Sequence, residues 1–149
     1  RPGNRFWKGL QAGGITPGLV NDSNGMDRAD ERMLTQRGVG ITNIVARPSS
    51  RASELSRQEL TDGCAVLVAR VRILQPRVVA FTGITAFRTA FQMPHAQLGR
   101  QPTDTIADWP DGTQLWVVPD PSGLNAHENV ASLGLKWAAV WAESTRPRE

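Results

Sequence analysis

The run Arg77-Val-Val-Ala-Phe-Thr-Gly83 constrains this chain more than any other stretch. It is apolar without alternation, so a strand built from it must be covered on both faces. That is the pattern of a parallel sheet lying between helices. The flanks agree. Ser56-Arg57-Gln58-Glu59 has the spacing of a capping box, in which the serine accepts from the third amide and the glutamate reaches back. It opens a helix expected to run to Leu74, with Val66, Leu67, Arg70, Val71 and Leu74 as its inward stripe and flank. Gln75-Pro76 stops that helix, and another is expected from Ile84 to Phe91.

Other segments extend the pattern. Phe6, Trp7 and Leu10 fall at helical spacing in a segment closed by Gly13-Gly14. The polar stretch from Met26 reads as a second helix ended by Gly38. Gly40 to Val45 reads as a short buried strand, and the Pro48 region after it as loop. Between Thr103 and Pro119 two strands are expected about the turn Pro110-Asp111-Gly112. A last helix, from about His127, turns Val130, Leu133, Trp137, Val140 and Trp141 inward. Helices alternating with strands imply an α/β fold, here a three-layer α/β/α sandwich with a mostly parallel central sheet, as one domain over residues 1–149. The chain opens on a helix where such folds usually open on a strand, so a first strand is expected to be lacking. Ligands of such sheets bind in the loops beyond the strand carboxyl ends, here after Val45, Phe81 and Val118.

Composition narrows the partner. No apolar run approaches the ~20 residues of a membrane span, and no leader pattern suggests secretion. One cysteine, Cys64, forms no internal disulfide and reads as a core residue; the usage fits a reducing cytoplasm. Net charge is only +3, yet 15 of the 17 basic residues are arginine. The planar arginine fork suits phosphate oxygens, although arginine-rich coding would produce the same count. Charge therefore permits nucleic acid without establishing it.

The third loop, in Trp116-Val-Val-Pro-Asp-Pro-Ser-Gly-Leu-Asn-Ala-His127, sets the lone apolar Leu124 on what should be a wet loop tip. Together with "PGNRFWKGL", "GVGITNIVARPSSRASELSRQEL" and "LQPRVVAFTGITAF", in this order and on these elements, it resembles the mismatch-specific uracil/thymine DNA glycosylases of the uracil-DNA glycosylase superfamily. The likeness spans about Pro2 to Trp141. It implies excision of uracil and related damaged pyrimidines from G·U mispairs in double-stranded DNA, without metal or organic cofactor. The target nucleotide is flipped from the stack and water attacks the sugar carbon. It also gives Leu124 a purpose, as a wedge that fills the gap left by the flipped base. Pro121 would stiffen the approach, Ser122 and Gly123 would bring backbone close to the bases, and groups near Gly123 and Asn125 would meet the widowed guanine. The plain alternative is that Leu124 packs beneath the last helix and Asn125 caps it.

Two departures accompany the likeness. Where the family's second motif opens with asparagine, this chain has Asp120. An ionised aspartate repels a developing base anion, but it can orient water or stabilise a positive sugar; it can also be a loop cap. The family's first motif, of Gly-Ile-Asn-Pro-Gly type, carries the water-positioning asparagine and falls ahead of Arg1. If that motif is absent altogether, the chain should bind DNA and cleave it poorly. Asn43 falls at a pocket position, to hold water or sugar, or else is a strand-end asparagine satisfied by backbone. Gly83 and Thr85 begin a helix whose amides suit a phosphate, or simply begin a helix. Arg47 and Arg51 flank the second loop and suit phosphate contact, or are solvated surface.

Other chemistries fit less well. His95 and His127 have no cysteine or carboxylate at zinc-ligand spacing, and Ser122 has no histidine-plus-acid set around it. No Gly-x-Gly-x-x-Gly or phosphate-loop lysine follows any strand, which disfavours a nucleotide-binding domain. The five tryptophans read as core. The expectation is thus a monomeric, cofactor-free glycosylase in the cytoplasm at the nucleoid, with a non-catalytic mismatch-binding domain as the rival.

Overall fold

The structure, a computed structural model, describes residues 4–45 and 55–147. In chain order its elements are α1 (Phe6–Ala12), α2 (Arg28–Gln36), α3 (Arg57–Leu74), β1 (Val78–Thr82), α4 (Ile84–Ala90), β2 (Gly99–Gln101), β3 (Gln114–Val118) and α5 (Val130–Ser144). The chain separates into two compact units, Arg1–Thr42 with Pro121–Ala142, and Asn43–Asp120 with Glu143–Glu149. Among the described residues no helix is long and apolar enough to cross a membrane.

The second unit carries the sheet. Its strands lie in the order β1-β3-β2. β1 and β3 are parallel, in register from Val78 opposite Gln114 to Thr82 opposite Val118. β2 is antiparallel to β3, with Gly99 opposite Val117 and Gln101 opposite Leu115. The α/β class therefore stands, while the sheet is small and mixed. Two expected strands are corrected. Residues 40–45 form none: no ladder neighbour pairs with them among the described residues, and hydrophobic pattern alone satisfies no backbone group. The antiparallel partner of β3 is not Thr103–Trp109 but β2, further upstream. The 103–109 stretch instead winds through turns, Ile106 N–H donating to Thr103 O and Trp109 N–H to Ile106 O.

The Ser56 capping box forms as expected, with Glu59 N–H to Ser56 Oγ at 3.0 Å and Ser56 N–H to Glu59 Oε1 at 3.1 Å. The inward face of α3 is the expected one in part: Val71 is buried and Leu67 half-buried against the core, but Val66, Arg70 and Leu74 are not inward. Leu60, Cys64 and Val71 are buried, whereas Ile73 is 82% and Leu74 76% exposed. Arg70 and Val66 also face outward. Apolar residues surround α3, so periodicity selects the face only in part; packing against α4 and the sheet selects the rest. Burial of β1 is likewise partial: Phe81 is buried and its neighbours half-buried, because β1 is an edge strand, paired only with β3 among the described residues. Around Phe81 the core is aromatic. Phe87 meets it edge-on at 5.5 Å and stacks on Phe91 at 4.6 Å, and Phe91 meets Trp109 edge-on at 6.3 Å.

The first unit is helical and is held by close backbone approach. A Cβ on Gly134 of α5 would lie 2.6 Å from Ala12 Cβ, and one on Gly13 would lie 2.8 Å from Trp137 Cβ. Only glycine lets α1 and α5 touch this closely. Leu133, Trp137 and Val140 form the buried face of α5, as the spacing predicts, with Val130 and Trp141 half-buried beside them. Arg37, which caps α2, donates to Ile15 O at 2.6 Å and Gly14 O at 2.9 Å and lies 5.0 Å over the Trp141 ring. Of the five tryptophans, Trp109 and Trp137 are buried and Trp7, Trp116 and Trp141 only half so.

Candidate functional site

The parallel pairing of β1 with β3 sets two strand ends side by side within the second unit. Gly83 follows β1 at φ +99°, a conformation glycine tolerates and side-chain-bearing residues seldom adopt. Its amide donates to Val118 O at 2.9 Å. That bond extends the ladder by one step, so this amide is already committed and is not a phosphate donor. A Cβ at Gly83 would come 3.9 Å from the Asp120 Cβ, which makes these residues neighbours at the sheet's carboxyl edge. Asp120 is half-buried, and Thr85 is exposed in the first turn of α4. Asn43 belongs to the same unit but is exposed and lies on no strand, which removes its reading as a strand-end residue satisfied by a ladder. Arg47 and Arg51 lie outside the described residues.

The first unit carries the loop that begins at Pro121. Asn125 N–H donates to Ser122 O at 3.0 Å, closing a turn over Gly123 and Leu124. The Ser122 hydroxyl accepts from Leu124 N–H at 3.2 Å, and the Asn125 side chain accepts from His127 N–H at 3.2 Å. These are short polar side chains bonding to nearby backbone, which is how serine and asparagine stabilise turns. Leu124 sits on this turn with 71% of its surface exposed. It is not packed beneath α5.

A residue far away along the chain ties this loop down, and nothing in local spacing announces that role. Arg5, just ahead of α1, donates its backbone N–H to Pro121 O at 2.9 Å and its Nε to the same carbonyl at 3.4 Å. Its Nη2 reaches Ser122 O at 2.6 Å and Asn125 O at 3.1 Å, and its Nη1 donates to Glu128 O. These partners lie 116 to 123 positions away along the chain, beyond any local pattern. The far end of the loop is legible by contrast, because Glu128, Ser132 and Lys136 stand four residues apart. Glu128 Oε2 accepts from Lys136 Nζ at 2.6 Å and Oε1 from Ser132 Oγ at 2.8 Å. The Glu128 side chain is 6% exposed. Burial alone would raise its pKa, but the bonds from Lys136 and Ser132 and the charges of Lys136 and Arg5 together hold it below the ordinary value. Asn129 completes the junction by accepting from Ser132 N–H at 2.8 Å, so α5 begins at Val130 and not at His127.

The cysteine does not join these groups. Cys64 lies in the core, where burial pushes its thiol up to about 11; a thiol so protonated is a poor nucleophile. Among the described residues, no three His, Cys, Asp or Glu side chains gather where they would hold a metal ion.

This is a sheet edge with an aspartate and a helix start, and, in the other unit, a braced loop presenting one leucine. Comparison with known families gives the class. The chain matches the uracil DNA glycosylase superfamily over residues 1–142 and belongs to it. A uracil DNA glycosylase-type function, hydrolytic and with DNA as the partner, follows in general from that membership.

Proposed function

We propose that this chain is a monofunctional glycosylase that removes uracil and related damaged pyrimidines from G·U mispairs in duplex DNA, in the manner of the mismatch-specific enzymes it resembles. One observation carries the reading: Leu124 stands 71% exposed on a loop tied down at both ends. An exposed leucine on a mobile tip would bind little. The same leucine on a braced turn can enter the base stack and offset part of the few kcal/mol that unstacking costs. Pro121, Ser122 and Gly123 carry it, and Asn125 faces the guanine left behind.

The hydrolytic side of the proposal rests on the sheet edge. The bond between sugar C1′ and the uracil nitrogen breaks, the pair of electrons leaves with the base, and water oxygen bonds to C1′. The base anion takes up the proton that water releases. Asp120 is assigned the sugar side of this event, where a carboxylate stabilises the cationic carbon and orients the water. Asn43 is assigned to hold water or sugar; Thr85, Arg47 and Arg51 are assigned to the DNA backbone, with Gly83 supplying the bend that brings it near. The three-layer arrangement with a largely parallel sheet belongs to this same reading and is supported by the β1–β3 pair. Asp120 in place of the usual asparagine keeps one rival in view, a domain that recognises mispairs without cutting.

Duplexes with a single G·U pair, incubated with the protein and then treated with alkali, separate the two. Strand breaks at the uracil are expected, and Leu124→Ala is expected to reduce them at least ~10-fold while leaving thermal stability within about 0.5 kcal/mol, as for other exposed positions. Retention of intact duplex in a gel shift, without breaks, would establish the rival.

A further inference from the structure

We propose that Arg5 is a positioning residue for the Leu124 loop, setting the shape in which that leucine can enter DNA. The proposal rests on the wedge reading above and adds to it the part that makes the wedge stiff.

Four carbonyl oxygens, those of Pro121, Ser122, Asn125 and Glu128, converge on this one side chain. They come from both feet of the loop and from its turn. Pro121 O and Ser122 O each also accept one backbone N–H, from Arg5 and Asn125, but without the guanidinium nothing would draw the four carbonyls together against their mutual repulsion, and the loop would loosen. A guanidinium answers this arrangement because its N–H groups lie in one plane and point in fixed directions. Lysine would bring three donors to a single point and could not span both feet. With the carbonyls drawn inward, the Leu124 side chain on the turn is left outside, as its exposure records. The alignment of the leucine thus follows from hydrogen bonds to the backbone on either side of it, at Ser122 and Asn125. A loop ordered before it meets DNA loses less entropy on insertion, so Arg5 should act on extrusion of the base and little on contacts with the duplex backbone.

The test compares wild type, Arg5→Ala, Arg5→Lys, Leu124→Ala and the Arg5→Ala/Leu124→Ala double variant on a G·U duplex carrying 2-aminopurine beside the uracil. Fluorescence reports extrusion, single-turnover cleavage reports chemistry, and amide exchange of residues 122–128 without DNA reports loop order. For Arg5→Ala the exchange of these amides should rise at least ~10-fold while that of α3 stays as in wild type, which excludes general unfolding. Extrusion should fall about tenfold with undamaged-duplex affinity changed less than ~3-fold, and Arg5→Lys should recover part of the loss. On the Leu124→Ala background the arginine change should add less than ~2-fold, since the two residues act as one device. Unchanged exchange in Arg5→Ala, or full multiplicative loss in the double variant, overturns the positioning role while the glycosylase reading survives. A wild type that neither opens nor cuts the G·U duplex overturns the glycosylase reading, and the proposal with it.

Discussion

Both units bury an apolar core, but their most distinctive contacts differ. In the second, Phe81, Phe87, Phe91 and Trp109 contact one another through their rings and fill the space between α3, α4 and the sheet. In the first, α1 meets α5 through glycine, and the 121–128 loop is held by an arginine and by the Glu128–Ser132–Lys136 set. Side-chain packing draws no energy from a leucine left in water, as Leu74 of α3 is at 76% exposed, because that energy comes from removing apolar surface from water. Backbone hydrogen bonding fixes the chain and leaves the side chain free. In the 121–128 loop the second means fixes the backbone while Leu124 stays in water.

The contrast is open to attack at three points. Phe87 is fully buried (0% exposed), and Phe87→Ala is expected to cost about 3–5 kcal/mol in denaturant unfolding; a loss under ~1 kcal/mol would mean that the aromatic cluster does not hold the second unit. Gly134→Ala tests the first unit. Alanine raises helix propensity by ~1 kcal/mol, yet its methyl would lie 2.6 Å from Ala12 Cβ, so a net loss of roughly 1–2 kcal/mol is expected. A melting temperature raised by this substitution would show that α1 and α5 are not in close contact. The smallest effect belongs to Glu128. Glu128→Gln should lower stability by about 1 kcal/mol at pH 7. Because the folded carboxyl titrates below its unfolded counterpart near 4.5, this contribution is complete above that value and disappears as pH falls through the folded one. The melting temperatures of variant and wild type are therefore expected to converge in acid, and a constant gap from pH 7 to pH 3 would contradict the ion-paired geometry.

Legibility along the chain followed the reach of the interactions. The α3 start was readable because the capping box closes within four residues, from Ser56 to Glu59. The strand β1 and the termination of α1 at Gly13 were readable for the same reason. The buried face of α3 was readable only at Leu67 and Val71, since apolar residues around the helix leave the rest of the choice to its neighbours. The partner of β3 was misplaced because Pro110-Asp111-Gly112 has the composition of a hairpin turn, whereas the pairing went to Gly99–Gln101 across an intervening bend. Leu124 drew notice as an apolar residue among turn formers, but the residue that braces it, Arg5, lies more than a hundred positions away.

By itself, then, the sequence determined the α/β class, the helix that opens at Ser56, the apolar strand after it, and the loop on which a single leucine stands. These depend on backbone propensities, caps and turn chemistry that each close within a few residues. Tertiary structure alone decided that Val66, Arg70 and Leu74 of α3 face outward, which strand lies beside β3, and that one guanidinium gathers four distant carbonyls of the Leu124 loop. Those outcomes depend on which atoms meet across the fold, and a hydrogen bond or a packed ring carries no mark in the order of residues until the chain has closed on itself.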